Sequence, residues 1–114
     1  MRGRRTQPEA RDNPDRNQFE LLVDGRRVGY IRYRRFPDRI DLIHTEILPQ
    51  HEGKGYGSAL IAAALARARE ERLAVIPRCP FVREYIERHP EALDLVPTER
   101  RGEFDLPGRV APDL

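Results

Sequence analysis

Between an apolar segment, IDLIHTEILP, and a strong helix-former, ALIAAALARAREE, the chain places QHEGKGYGS at residues 50–58, with alternate glycines at Gly53, Gly55 and Gly57. A connection that only reversed direction would do without three glycines, because each one adds backbone entropy that folding must remove. Alternate glycines allow positive φ angles and let the backbone approach a ligand with no Cβ in the way. A helix beginning just beyond presents about four free N–H groups and about half a unit of positive charge. The stretch is thus suited to wrapping an anion where a strand hands over to a helix, with Lys54 as a mobile charge beside it. The competing reading is a plain turn into a helix.

This junction constrains its neighbours. Leu60, Ile61, Ala64, Leu65 and Ala68 recur at helical spacing and predict a helix over residues 55–71. LAVIP, residues 73–77, is a short apolar run of the kind expected for a buried strand. Strand, helix, strand makes a βαβ crossover, so 73–77 should lie parallel to 39–48. Upstream, FELLVDG at 19–25 reads as a strand ending in the hairpin signal Asp24-Gly25. RRVGYIRYRRF at 26–36 reads as the next strand, and Pro37-Asp38 turns the chain into a third, 39–49. CPFVREYIERHP, 79–90, predicts a second helix, with Pro80 in its first turn and Pro90 ending it.

The fold class expected is α+β: an antiparallel three-stranded meander, a βαβ crossover and a further helix. Residues 1–16 carry five arginines and almost nothing apolar, which predicts a disordered Arg-rich tail. Residues 98–114, with Gly102, Pro107, Gly108 and Pro112, read as a loose C-terminal tail. Residues 17–97 are left as the folded domain, and a chain of 114 residues is long enough for one core.

Composition narrows the function classes. No apolar run approaches the ~18 residues needed to span a membrane, so no membrane partner is expected. A single cysteine forbids an intramolecular disulfide, and with no apolar signal region it points to a reducing, cytoplasmic setting. His44, His51, His89 and Cys79 show no zinc-ligand spacing, so no metal is expected. The net charge is only +2. The dinucleotide pattern G-x-G-x-x-G and the P-loop pattern are both absent.

What remains is Q-x-x-G-x-G at Gln50, Gly53 and Gly55. Here the chain resembles the GNAT superfamily of N-acetyltransferases, in which [QR]-x-x-G-x-[GA] joins a strand to a long helix. The run IDLIHTEILPQHEGKGYGSALIAAALARARE followed by LAVIPRCPFVREYIERHPE is similar, more narrowly, to the small single-domain YjdJ-type GNAT-like proteins, over roughly residues 19–96. The resemblance implies the acyl-CoA N-acyltransferase fold, with the strands before and after the first helix splayed apart. It implies acetyl-CoA as co-substrate and an amine acceptor, small molecule or protein, that the sequence does not identify. The pantetheine arm would bond to backbone at Glu46, Ile47 and Leu48. The pyrophosphate would meet the loop of Gln50, His51, Glu52, Gly53, Lys54, Gly55, Tyr56, Gly57 and Ser58.

Transfer to an amine needs a proton acceptor and a donor for the developing oxyanion. His44 and Glu46 are two apart on one strand and face the same side, which Leu42 and Leu48 should share. Histidine titrates near neutral pH, so either residue is a candidate base. Cys79 opens a helix, a position that favours thiolate, and could act as acid, as acetyl carrier or as a packing residue. Many GNAT proteins carry Asn, Ala and Tyr at offsets of zero, three and seven on this helix. Counted from Cys79, those places fall on Val82 and Ile86, so the tyrosine acid is missing. Tyr85 is one residue away, about 100° round the helix. The N-terminal helices that usually wall the acceptor side in that family are not expected from this sequence either. A second reading is therefore a coenzyme A or acetyl-CoA-binding module with little or no turnover. A third is a nucleic-acid binder using the Arg tail with Arg32, Arg34 and Arg35, but no base-stacking aromatic pattern supports it and no nucleic-acid partner is expected.

Overall fold

The computed structural model describes residues 7–108. One five-stranded sheet runs in chain order: β1 (Glu9–Asn13), β2 (Gln18–Val23), β3 (Arg26–Arg35), β4 (Arg39–Ile47) and β5 (Ala74–Pro77). The first four strands pair antiparallel, and β5 joins β4 in parallel. Helix α1 (Tyr56–Glu70) makes the crossover, and α2 (Pro80–Arg88) follows β5. This is the α+β arrangement the sequence predicts. Asp24 and Gly25 both have positive φ, 54° and 76°, as a tight two-residue hairpin requires. No helix among the described residues is long and apolar enough to cross a membrane.

α1 buries Leu60, Ile61, Ala64, Leu65 and Ala68, the stripe its spacing predicts. They pack against Phe19 and Leu21 of β2, Ile31 and Tyr33 of β3, Ile40 and Leu42 of β4, and Val75 and Ile76 of β5 in one core. From α2, Val82 and Ile86 join it.

Both termini differ from expectation. Residues 1–6 lie outside the described residues, but Glu9–Asn13 forms β1, paired residue by residue with β2, where a disordered tail is expected. An edge strand can be held by its ladder and by polar anchors, so it needs no apolar alternation. Here Tyr33 donates to Asp12 at 2.6 Å, and Asn13 donates to Glu20 at 3.0 Å. At the other end, Thr98–Phe104 forms a 3₁₀ segment rather than a loose tail, with Phe104 and Leu106 buried. Arg101 is buried with them, and its guanidinium donates to the carbonyls of Val96 and Gly108. Residues 109–114 lie outside the described residues.

β4 and β5 pair only from Arg39↔Ala74 to Leu42↔Pro77. Pro77 has no N–H to extend the ladder. The Cys79 N–H makes one last bond to Leu42 O at 2.9 Å, and Pro80 then starts α2. Asp41, buried between Arg39 at 3.1 Å and Arg78 at 2.9 Å, ties the two strands at this fork. The sequence resemblance implies this splay.

β4 also bulges. Arg32 faces His44 and Tyr33 faces Leu42, so Ile43 has no partner on β3. Leu42 and Thr45 are both buried, and the two residues between them point outward. His44 and Glu46 therefore share a face, as expected, but Leu42 does not share it with them. The extra residue has inverted the alternation.

One glycine sets how closely β3 approaches β4. A Cβ on Gly29 would lie 2.7 Å from the Glu46 carbonyl oxygen and would press on the Ile47 side chain. Both neighbours belong to the strand end beyond the bulge. Gly29→Ala should cost about 1–3 kcal/mol of stability through overpacking, read as a lower urea midpoint with unchanged slope. An unchanged midpoint would mean that β4 can slide away at no cost.

Candidate functional site

Beyond the fork lies a cavity of about 470 Å³. Its size is that of a small-molecule site. The end of β4 gives one wall, with Thr45, Glu46 and Ile47. The glycine loop and the start of α1 give the second, with His51, Glu52, Gly53, Gly55, Tyr56, Gly57, Ser58 and Ile61. α2 gives the third, with Phe81, Glu84, Tyr85, Arg88 and the adjoining His89. On the side away from β3, β4 has no strand partner after Leu42, so backbone groups there face the cavity rather than a ladder.

The loop has the geometry its sequence predicts. Gly53 and Gly55 have φ of +80° and +79°, and Gly55 caps α1 with no side-chain hydrogen bond. None of the backbone N–H groups of residues 53–58 donates a hydrogen bond within the described protein. A Cβ at Gly53 or Gly55 would meet nothing within 4 Å, so the space over the loop is open. Helix dipole and unpaired amides thus converge on one wall of the cavity.

Glu46 belongs to two groups at once. It lines the cavity, and it sits in an exposed cluster on the outer face of the sheet. The Tyr30 hydroxyl donates to Glu46 Oε1 at 3.0 Å, and His44 Nε2 lies 3.2 Å from the same oxygen. An ionised carboxylate can only accept, so Nε2 carries the proton in this bond. The hydrogen bond from His44, then that from Tyr30, hold the Glu46 carboxyl below the usual glutamate range. Burial and the bond to Glu46 push the Tyr30 phenol up.

Of the residues the sequence singles out, Glu46, Ile47, His51, Glu52, Gly53, Gly55, Tyr56, Gly57 and Ser58 meet at the cavity. Leu48, Gln50 and Lys54 flank it without lining it. His44 reaches it only through Glu46. Cys79 is buried one layer behind the wall, where its thiol donates to Thr45 Oγ1 at 3.3 Å.

The α2 wall is the part that sequence reasoning missed. Val82 and Ile86, which the count from Cys79 puts toward the site, are buried in the core. Tyr85 faces the cavity instead and stacks on His89, ring centroids 3.9 Å apart. Phe81 is 61% exposed at the rim. An i, i+4 aromatic pair beside an exposed phenylalanine is a signal that could have marked this face.

Known proteins share this architecture. A GCN5-like N-acetyltransferase candidate from Staphylococcus aureus, solved by NMR, superposes with a TM-score of 0.59 at 27% identity, over 78% of this chain and 87% of that one. A ribosomal-protein-alanine N-acetyltransferase from Brucella melitensis biovar Abortus superposes with a TM-score of 0.51 at 21% identity, over 85% of this chain and 63% of that one, a likeness of fold alone. No curated protein matches in sequence. The family model of the GCN5-related N-acetyl-transferases matches residues 18–95, which hold four of the five strands, the glycine loop and both helices. The chain belongs to that family.

Proposed function

We propose that the protein is an acetyl-CoA-dependent N-acetyltransferase and that the cavity at the fork holds its acyl donor. The observation that carries this reading is the run of unpaired amides at residues 53–58, in a loop that lines the same cavity as the unpartnered edge of β4. The amides suit the pyrophosphate, and the strand edge suits the amides of the pantetheine arm. Ile47 and Leu48 supply that edge, and Gln50, His51, Glu52 and Lys54 border the phosphate loop. Within the family we place the chain with the small YjdJ-type members, on the CPFV segment that follows β5.

Bound acetyl-CoA supplies an activated thioester. The chain's own groups have three tasks. A backbone N–H on the unpartnered edge of β4 donates to the oxygen that gains charge. Glu46, at the boundary of cavity and outer face, takes the proton from the attacking amine. His44 and Tyr30 keep that carboxylate ionised and aimed. Tyr85, opposite Glu46 in the cavity lining, returns a proton to the departing thiolate. Cys79 holds Thr45 in the wall and is not needed as an acetyl carrier.

Calorimetric titration with acetyl-CoA, coenzyme A and ADP, followed by a thiol-release assay over a panel of amines, tests the proposal. Micromolar binding of both coenzymes and amine-dependent release of free thiol are expected. No binding of any of the three would remove the cofactor reading. Binding without thiol release would instead support a coenzyme A-binding module. That second reading draws on the outer face, where only the short 3₁₀ turn Pro14–Arg16 and Asn17 separate β1 from β2 and, among the described residues, no α-helix precedes β2 as an acceptor wall.

A further inference from the structure

The outer face of the sheet carries a feature that binding of acetyl-CoA does not use. Beside the Glu46 cluster lies a second, open cleft lined by Arg16, Asn17, Arg32, Arg34 and Ile43. Arg32 is in register with His44, and Ile43 is the bulge residue, so the cleft begins where the proton-accepting cluster ends. Arg16, Arg32 and Arg34 make no ion pair within the described protein. The nearby carboxylate of Glu20 is shared with Arg27 at 3.6 Å, and Arg35, at the cleft margin, is neutralised by Glu71 at 2.5 Å. Arg16 and Arg32 act on Glu20 and Glu46 only at longer range, without an ion pair, so the cleft keeps an excess of positive charge that attracts an anionic partner.

We propose that this cleft docks acidic side chains of a polypeptide whose amine is presented to Glu46. The inference rests on the acetyltransferase reading and adds the class of acceptor. Length favours a polypeptide over a small molecule. Tyr30 lies opposite Glu46 and Arg34 is four residues further along β3, so the row from Glu46 to Arg34 spans roughly 13 Å, about four residues of extended chain. Chemistry favours a polypeptide over a nucleic acid. The Glu46 cluster needs a basic alkyl amine, which a lysine or an N-terminus supplies and a nucleobase does not. The half-buried side chain of Ile43, which lines the cleft, can take an aliphatic stem between the charges.

Fluorescence anisotropy can test this with the full-length protein and three labelled probes: a short peptide with one lysine among glutamates, its glutamine counterpart, and a single-stranded oligonucleotide of equal charge. The glutamate peptide should bind at least about tenfold tighter than the glutamine peptide, and the gap should shrink as salt rises. The double variant Arg32→Gln, Arg34→Gln should lose about tenfold for the glutamate peptide and keep its coenzyme A affinity within about twofold. Equal binding of the two peptides, full retention by the double variant, or tighter binding of the oligonucleotide would each overturn the proposal. Coenzyme A titration of the same samples keeps the two readings apart: peptide discrimination without coenzyme A binding would sink the acetyltransferase reading and leave the acidic docking cleft standing.

Discussion

Replacing Glu46 by glutamine lowers kcat by about 10²–10³-fold while the KM for acetyl-CoA changes by no more than about twofold, the expected signature of a lost proton acceptor. The substitution keeps size and the bond from Tyr30 but removes the charge. Two hydrogen bonds hold the Glu46 carboxyl below the ordinary range, which makes it a weak base toward a free ammonium ion. It is strong enough for its task, because the amine nitrogen becomes far more acidic once it has bonded to the carbonyl carbon. The sign of the pH dependence follows. A lowered carboxyl pKa keeps Glu46 ionised well into acid, so kcat/KM should start to fall only below the usual glutamate range. Tyr30→Phe and His44→Ala each remove one bond to the carboxylate, and each should move that acid limb to higher pH. The bond from His44 lowers the carboxyl more than that from Tyr30, so its removal should move the limb further. A Glu46→Gln enzyme with wild-type kcat, or a limb that stays in place in both variants, would remove Glu46 from the mechanism.

What the sequence reveals and what it hides divide along a physical line. The glycine loop is legible because its signal is local: two positive φ angles and a helix start are written in the residues that adopt them. The crossover is legible because α1 has a complete apolar stripe and β5 is a bare apolar run. β1 is hidden because its stability comes from its neighbour's backbone and from Asp12 and Asn13 reaching across to Tyr33 and Glu20, not from its own apolar content. The bulge at Ile43 is hidden for a similar reason. An isoleucine in an apolar run gives no sign that it is the residue left unpaired, yet that one residue decides that Leu42 faces inward and His44 outward. The same kind of one-residue frame governs α2. Counting from Cys79 places Ile86 toward the site, but Cys79 is only the cap, and the core claims Val82 and Ile86 because they are the apolar pair one turn apart. Tyr85 is then carried round to the cavity. Gly29 is one glycine within the run 26–36, and only the packed structure shows it as the gap that the Glu46 carbonyl and Ile47 occupy.

The glycine loop permits a sharper experiment than simple truncation of its function, because its glycines have two separable virtues. Gly53 and Gly55 sit at positive φ, where a β-branched residue is strained by about 1–2 kcal/mol each. Both also leave open space where a side chain would stand. Asparagine visits the left-handed region with little strain, so it separates the two. The double variant Gly53→Asn, Gly55→Asn should fold with a urea midpoint close to wild type and yet bind coenzyme A about 100-fold more weakly. That loss corresponds to one or two amide bonds to a charged phosphate, at about 1.5–3 kcal/mol each. Gly53→Val, Gly55→Val should lose as much affinity and stability besides. If the asparagine variant binds as well as wild type, the glycines serve only the turn, and the row of unpaired amides does not touch the ligand. If it binds weakly while remaining folded, the absent side chains are what the ligand needs, because the backbone conformation is the one property both proteins share.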